Sequence, residues 1–221
     1  MEEPTTSRSR GGSRRLPRAE RRTQLMALAE ELFLAEGFRA VSMDDLAERS
    51  GVSKPVIYDH FGSKEGLFRA ILEQHAAVLS ASVTAAVAHA EGAEERFRAG
   101  AEAFFAWVGE RGVTVHVVLD GVGSASGVDD QIRVLRRNQV TQTAAILAET
   151  LRQGGVMVNP VIAAELVPVA EMLAGAYESL ALWWQRDAPQ LSTDDISDRF
   201  HCTMWPGLAA GLTRLAGARR P

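Results

Sequence analysis

A chain of 221 residues, 46% of them apolar, can bury a sizeable core, and at this length a small unit joined to a larger one is comfortable. A net charge of −4 speaks against a uniformly basic coat, and the single Cys202 excludes an intrachain disulfide and fits a reducing compartment. No unbroken run of about 18 apolar residues announces a membrane span.

The charge is unevenly spread. Residues 1–70 carry 12 basic and 11 acidic side chains, against 12 and 17 in residues 71–221, and the only two lysines, Lys54 and Lys64, fall close together. Seven arginines lie in the first 22 positions. Residues 1–17 therefore read as a disordered basic tail, with no apolar segment after it to make a secretory signal. Such an arm suits local contact with a polyanion.

From Arg18 to Glu36, Leu25, Leu28, Ala29, Leu32 and Phe33 recur at three- and four-residue steps, one face of an amphipathic helix that Gly37 ends. Ser42 with Asp45 three residues on resembles a capping box and opens a short helix closed before Gly51. Ser53 is placed to cap a third helix, with Pro55 tolerated in its first turn, running to about His60. After Gly62, Ser63 opens a long helix reaching roughly His89. Beyond it 94–111, Asp129–Gln153, 160–186 and Thr193–Gly217 show apolar helical faces separated by turn signals. Pro168 and Pro206 inside the last two predict kinks or frayed starts.

One stretch departs from this pattern. Residues 113–120, VTVHVVLD, look like a strand running into the glycine-rich 121–127, the outline of a nucleotide-binding turn. The glycine spacing is off and no second strand follows, so a short buried helix and a loop are the expected structure. A catalytic centre is not expected either. The five histidines show no ligand spacing, and zincin, phosphate-loop and nucleophile-elbow motifs are absent, so no metal, cofactor or enzymatic activity is implied.

The informative segment is 42–65, SMDDLAERSGVSKPVIYDHFGSKE. Two short helices must cross around a tight turn there. Ala47 is small at the crossing, Gly51 can take the left-handed turn, and Leu46, Val52 and Ile57 are spaced to fill the core beneath. This leaves Ser53, Lys54, Pro55, Tyr58 and Asp59 on the outer edge of the second helix, where a recognition helix meets base edges and phosphates.

Residues 51–65, GVSKPVIYDHFGSKE, resemble the signature of the tetracycline-repressor (TetR) family. The preceding helix with Leu32, Phe33, Gly37 and Phe38, then Ser42 and its DDLAE, resembles it too. The resemblance covers about residues 18–75. It implies an all-α fold, with a basic tail at 1–17, a helix-turn-helix DNA-binding domain at 18–65 and a helical ligand-binding and dimerisation domain at 66–221. It implies that Tyr58 and Lys64 contact the phosphate backbone, that Ser42, Ser53, Lys54 and Pro55 face DNA at helix starts, and that His60 lies near the backbone. Gly66 replaces a better helix former and is expected to loosen the start of the fourth helix.

For the body, the resemblance implies a small-molecule pocket and a homodimer seam on the last two helices. Phe104, Trp107, His116, Gln142, Met172 and Tyr177 mix aromatic bulk with polar groups as ligand cavities do. Leu173, Leu180, Trp184, Met204, Trp205 and Leu208 are assigned to the seam. Trp183 and Trp184 point about 100° apart, so one faces the interior and the other a partner. The expected function is a cytoplasmic, nucleoid-associated regulator, most simply a repressor of a palindromic double-stranded operator, released by an effector and without contact to a membrane. A helical interaction protein that ignores DNA, or a nucleotide binder through 113–127, are the alternatives.

Overall fold

The computed structural model describes residues 17–111 and 129–217. His116, the 113–127 segment and residues 1–16 of the basic tail lie outside the described residues. Among those described, eight helices and no strand are found: α1 (Arg18–Glu36), α2 (Met43–Ser50), α3 (Lys54–Phe61), α4 (Lys64–Ala88), α5 (Gly92–Arg111), α6 (Asp129–Gln153), α7 (Pro160–Asp187) and α8 (Thr193–Gly217).

The first three helices close over one core. Leu46, Ile57 and Phe68 are completely removed from solvent, with Ala47 and Val52 packed at the edge. Phe33, Phe38 and Phe68 meet at centroid distances of 5.0 to 5.8 Å, each ring pair adding about 0.5–1.5 kcal/mol beyond its area. The core takes in Leu67, Phe68, Ala70, Ile71 and Leu72 of α4, so α4 belongs both to this unit and to the body behind it. Ile132 and Leu135 of α6 also pack against it.

The helix starts follow the local chemistry. Ser42 and Asp45 form a reciprocal capping box, and Gly51 takes the left-handed conformation (φ 64°) that ends α2. Ser192 and Asp195 form the same pair ahead of α8. Asn159 caps α7 by accepting from Val161 and Ile162. Ser53 sits at the N-cap of α3 but makes no side-chain cap bond.

Gly66 corrects an expectation. It is buried, and a Cβ there would collide with the Phe61 carbonyl oxygen. The glycine does not loosen α4; it lets the last turn of α3 sit on the first turn of α4, where the Ser63 hydroxyl accepts from the Gly66 N–H.

In the body, α5 packs on α4 and α8, and α6 on α7. α4 and α7 are long and apolar enough to cross a membrane by length and composition, but α4 is packed against α1, α5 and α6. Both helices with internal prolines run unbroken, Pro168 lying between the buried Leu166 and Ala170.

Candidate functional site

The outer edge of α3 carries the residues expected there. Ser53, Lys54, Pro55, Tyr58 and Asp59 are exposed, Tyr58 to 41%, while Ile57 and Phe61 on the opposite edge are buried. That polarity is a consequence of spacing: an eight-residue helix can present one stripe to a core and one outward.

The charged groups of this surface already hold partners inside the chain. Lys54 Nζ lies 2.8 Å from Asp44 on α2, which raises the lysine pKa, chiefly through that hydrogen bond. Lys64 Nζ donates to the carbonyls of Phe38 and Val41 at 2.8 and 2.9 Å and sits over the Phe38 ring. It ties the α1–α2 connection to α4. The Ser42 hydroxyl is taken up by its capping box. His60 is half-buried; burial, then the Arg18 charge, hold it below the usual histidine range.

Two arginines at the start of α1, given no site role from sequence, serve α3 directly. Arg22 donates to the His60 carbonyl at 2.8 Å and stacks over Phe61, and Arg18 pairs with Asp59 at 3.2 Å. Cations at the C-terminal end of a helix satisfy its last carbonyls and complement its dipole. Their spacing on α1, four apart on one face, was the available signal.

A cavity of about 400 Å³ opens in the body, lined by α4, α5, α6, α7 and α8. On α4 its lining runs from Leu72 to Val87, about 22 Å of helix, whereas a sphere of that volume would be only about 9 Å across. The space is therefore drawn out along the helices. Phe104, Trp107, Gln142 and Tyr177 line it as expected. Gln142 is held by Thr84 and the Ser80 carbonyl, and burial pushes the Tyr177 hydroxyl pKa upward. Glu178 is raised by burial, with Arg136 beside it opposing the shift.

Met172 does not belong to this set. It is 64% exposed on the outside of α7, and its neighbour Leu173 lines the cavity instead. The assigned seam shifts in the same way. Trp184 is buried and donates from Nε1 to the Leu191 carbonyl at 3.0 Å, while Trp183 is 42% exposed. Leu173 and Leu208 are buried, and Trp205 lines the cavity beside Phe97. Leu180 and Met204 are half-buried against the body's core. The outward stripe of α7 is Met172, Ser179 and Trp183, one residue out of phase with the expected one.

His75 and Arg96 went unassigned from sequence. His75 lines the cavity, lies 2.9 Å from Glu30 of α1 and meets the Trp107 ring edge-on. Arg96 is buried in the wall. No local pattern marks either, because their partners are 45 and 54 residues away.

The profile described as "Bacterial regulatory proteins, tetR family" matches residues 25–71. The transcriptional activator FasR of Mycolicibacterium smegmatis is 45% identical over 104 residues, 46% of this chain and 48% of that one, so the chain spans about half the length of this curated relative. A TetR-like transcriptional regulator from Rhodococcus sp. RHA1 superposes with a TM-score of 0.67 at 26% identity, over 88% of this chain and 99% of that one. AibR, solved in complex with isovaleryl coenzyme A and operator DNA, shares the fold with a TM-score of 0.60 at 18% identity, over 83% and 97%.

Proposed function

We propose that this chain, whose residues 25–71 match the tetR family of bacterial regulatory proteins, is a homodimeric transcription regulator of the cytoplasm, most simply a repressor released by a small molecule. The reading places the DNA-binding domain at 18–65 and the effector and dimer domain behind it. Its supporting observation is the edge of α3: Ser53, Lys54, Pro55 and Tyr58 stand exposed on a helix whose other edge is locked into a core. Tyr58 meets the phosphate backbone. Lys54 exchanges Asp44 for a phosphate or a base edge on docking. Lys64 and His60 act from below, holding the frame.

The cavity is the effector site, and its mostly apolar lining suits an apolar-bodied ligand. Coupling follows from shared elements. α4 lines the cavity and forms part of the DNA-reading core; His75 reaches from the cavity wall to Glu30 of α1; Ile132 and Leu135 touch both cavity and core. A ligand that displaces α4 or α6 therefore moves α1–α3. In a dimer seamed by the outward stripe of α7, the two α3 helices must sit about 34 Å apart to read one face of the duplex, and a shift of a few ångströms defeats one of them.

Selection of genomic fragments by the purified protein, followed by footprinting, tests this reading. The expected result is a protected inverted repeat with half-sites about 10 bp apart, centre to centre, or a multiple of it. No enrichment above a protein-free control contradicts it.

A further inference from the structure

Arg96 is 8% exposed, and among the described residues no carboxylate lies within ion-pair distance of it. Its Nε donates to the Thr150 hydroxyl at 3.0 Å, and Thr150 in turn donates to the Ile146 carbonyl. The two terminal nitrogens of the guanidinium make no hydrogen bond among the described residues, and Arg96 lines the cavity. The other cationic wall residue, Arg136, is paired with Glu178. A guanidinium so largely covered and left without a counter-charge is costly, and its terminal nitrogens stay open to the cavity. Such a group is stabilised when an anion arrives, and Thr150 holds it ready.

The apolar wall supplies the rest of the ligand. Arg96 and Trp107 lie eleven residues apart on α5, close to one face of the helix, so both look into the same channel about 16 Å apart. An extended chain advancing about 1.25 Å per carbon covers that distance in about a dozen carbons. From Phe97 through Phe104 to Leu72 and Ile132, the lining between is mostly apolar. We infer that Arg96 is an anion receptor, and that the effector is a linear amphiphile whose compact anionic head, carboxylate or phosphate monoester, binds Arg96 while its tail runs toward Trp107 and Ile132. The tail then ends against the two α6 residues that touch the DNA-reading core, so chain length sets how hard the ligand presses there. This inference rests on the cavity being the effector site.

The probes are dodecanoate, dodecyl phosphate and dodecanol, titrated calorimetrically into the full-length protein below their micelle concentrations. At least one anion binds about tenfold or more tightly than the alcohol, the return for one charge-assisted pair. Arg96→Met removes that preference and leaves alcohol binding nearly unchanged; Arg96→Lys retains part of it. Equal binding of all three by the unmodified protein, or no binding of any, overturns the inference without recourse to a variant. So does an Arg96→Met protein that still prefers the anion. Duplex affinity of the ligand-free protein is measured alongside: its absence sinks the regulator reading itself, whereas duplex binding with no head-group preference sinks only the role of Arg96.

Discussion

The unit at the N-terminus and the body behind it dispose of their polar groups in opposite ways. Around α2 and α3, Lys54, Lys64, Arg18 and Arg22 each hold a carboxylate or a carbonyl, and the core beneath has Leu46, Ile57 and Phe68 at full burial. The body instead keeps an elongated cavity of about 400 Å³ and a buried Arg96 whose terminal nitrogens find no partner among the described residues. A surface that meets a duplex of constant geometry can be braced in advance, since only its outer atoms change partner. A site that closes around a small molecule has to leave its packing and one charge incomplete until the ligand supplies them.

The largest test of that contrast compares adjacent tryptophans of α7. Trp184→Ala removes a buried ring and orphans the Leu191 carbonyl, and about 3–5 kcal/mol of stability is lost in denaturant unfolding. Trp183→Ala leaves the subunit folded and weakens self-association in sedimentation. The reverse pattern returns the seam to the Trp184 face.

Next comes the bracing of the DNA-reading unit. Gly66→Ala should stabilise by about 1 kcal/mol if helix propensity ruled. Collision with the Phe61 carbonyl predicts instead a loss of about 1–3 kcal/mol. A higher midpoint of thermal unfolding shows that α3 and α4 do not sit so close.

A smaller effect is shared by both regions. Hydrogen bonds from Ser42 and Ser192 hold the Asp45 and Asp195 carboxyls below the usual aspartate range. A carboxylate depressed on folding contributes stability that is complete above its unfolded pKa of about 4 and is lost as pH falls through the lower folded value. Asp45→Asn and Asp195→Asn therefore each lower the melting temperature at pH 7, and the deficit shrinks below about pH 4. A deficit that stays constant with pH shows that the carboxylate charge is not what the caps use.

The smallest effect falls on the recognition edge. Asp44→Asn releases Lys54, and duplex affinity rises severalfold at most, because an exposed ion pair is a weak competitor. Weaker binding would mean that Asp44 positions Lys54 rather than competing for it.

These regions were unequally legible. Ser42, Asp45, Gly51 and the Ile57–Phe61 edge follow from rules acting over three or four residues, and the helix limits after Gly92 matched within a residue or two. The phase of α7 did not. Its apolar residues go round the whole helix, so Met172 and Leu173, or Trp183 and Trp184, look equally fit for the interior, and only packing against α5 and α6 chooses between directions 100° apart. The bracing role of Lys64 was out of reach of local patterns, because its carbonyl partners lie 23 to 26 residues back in the chain. Arg96 was invisible for the same reason: its burial depends on Thr150 of another helix.

Fluorescence anisotropy of a selected genomic duplex, titrated with the protein at stepped salt concentrations, bears most directly on the DNA-reading edge of α3. The account predicts that log K falls steeply and linearly with log salt, and that Tyr58→Ala weakens every duplex alike while leaving that slope nearly unchanged, since a neutral phenol releases no counterion. Binding that ignores salt, or that Tyr58→Ala leaves untouched, would contradict it.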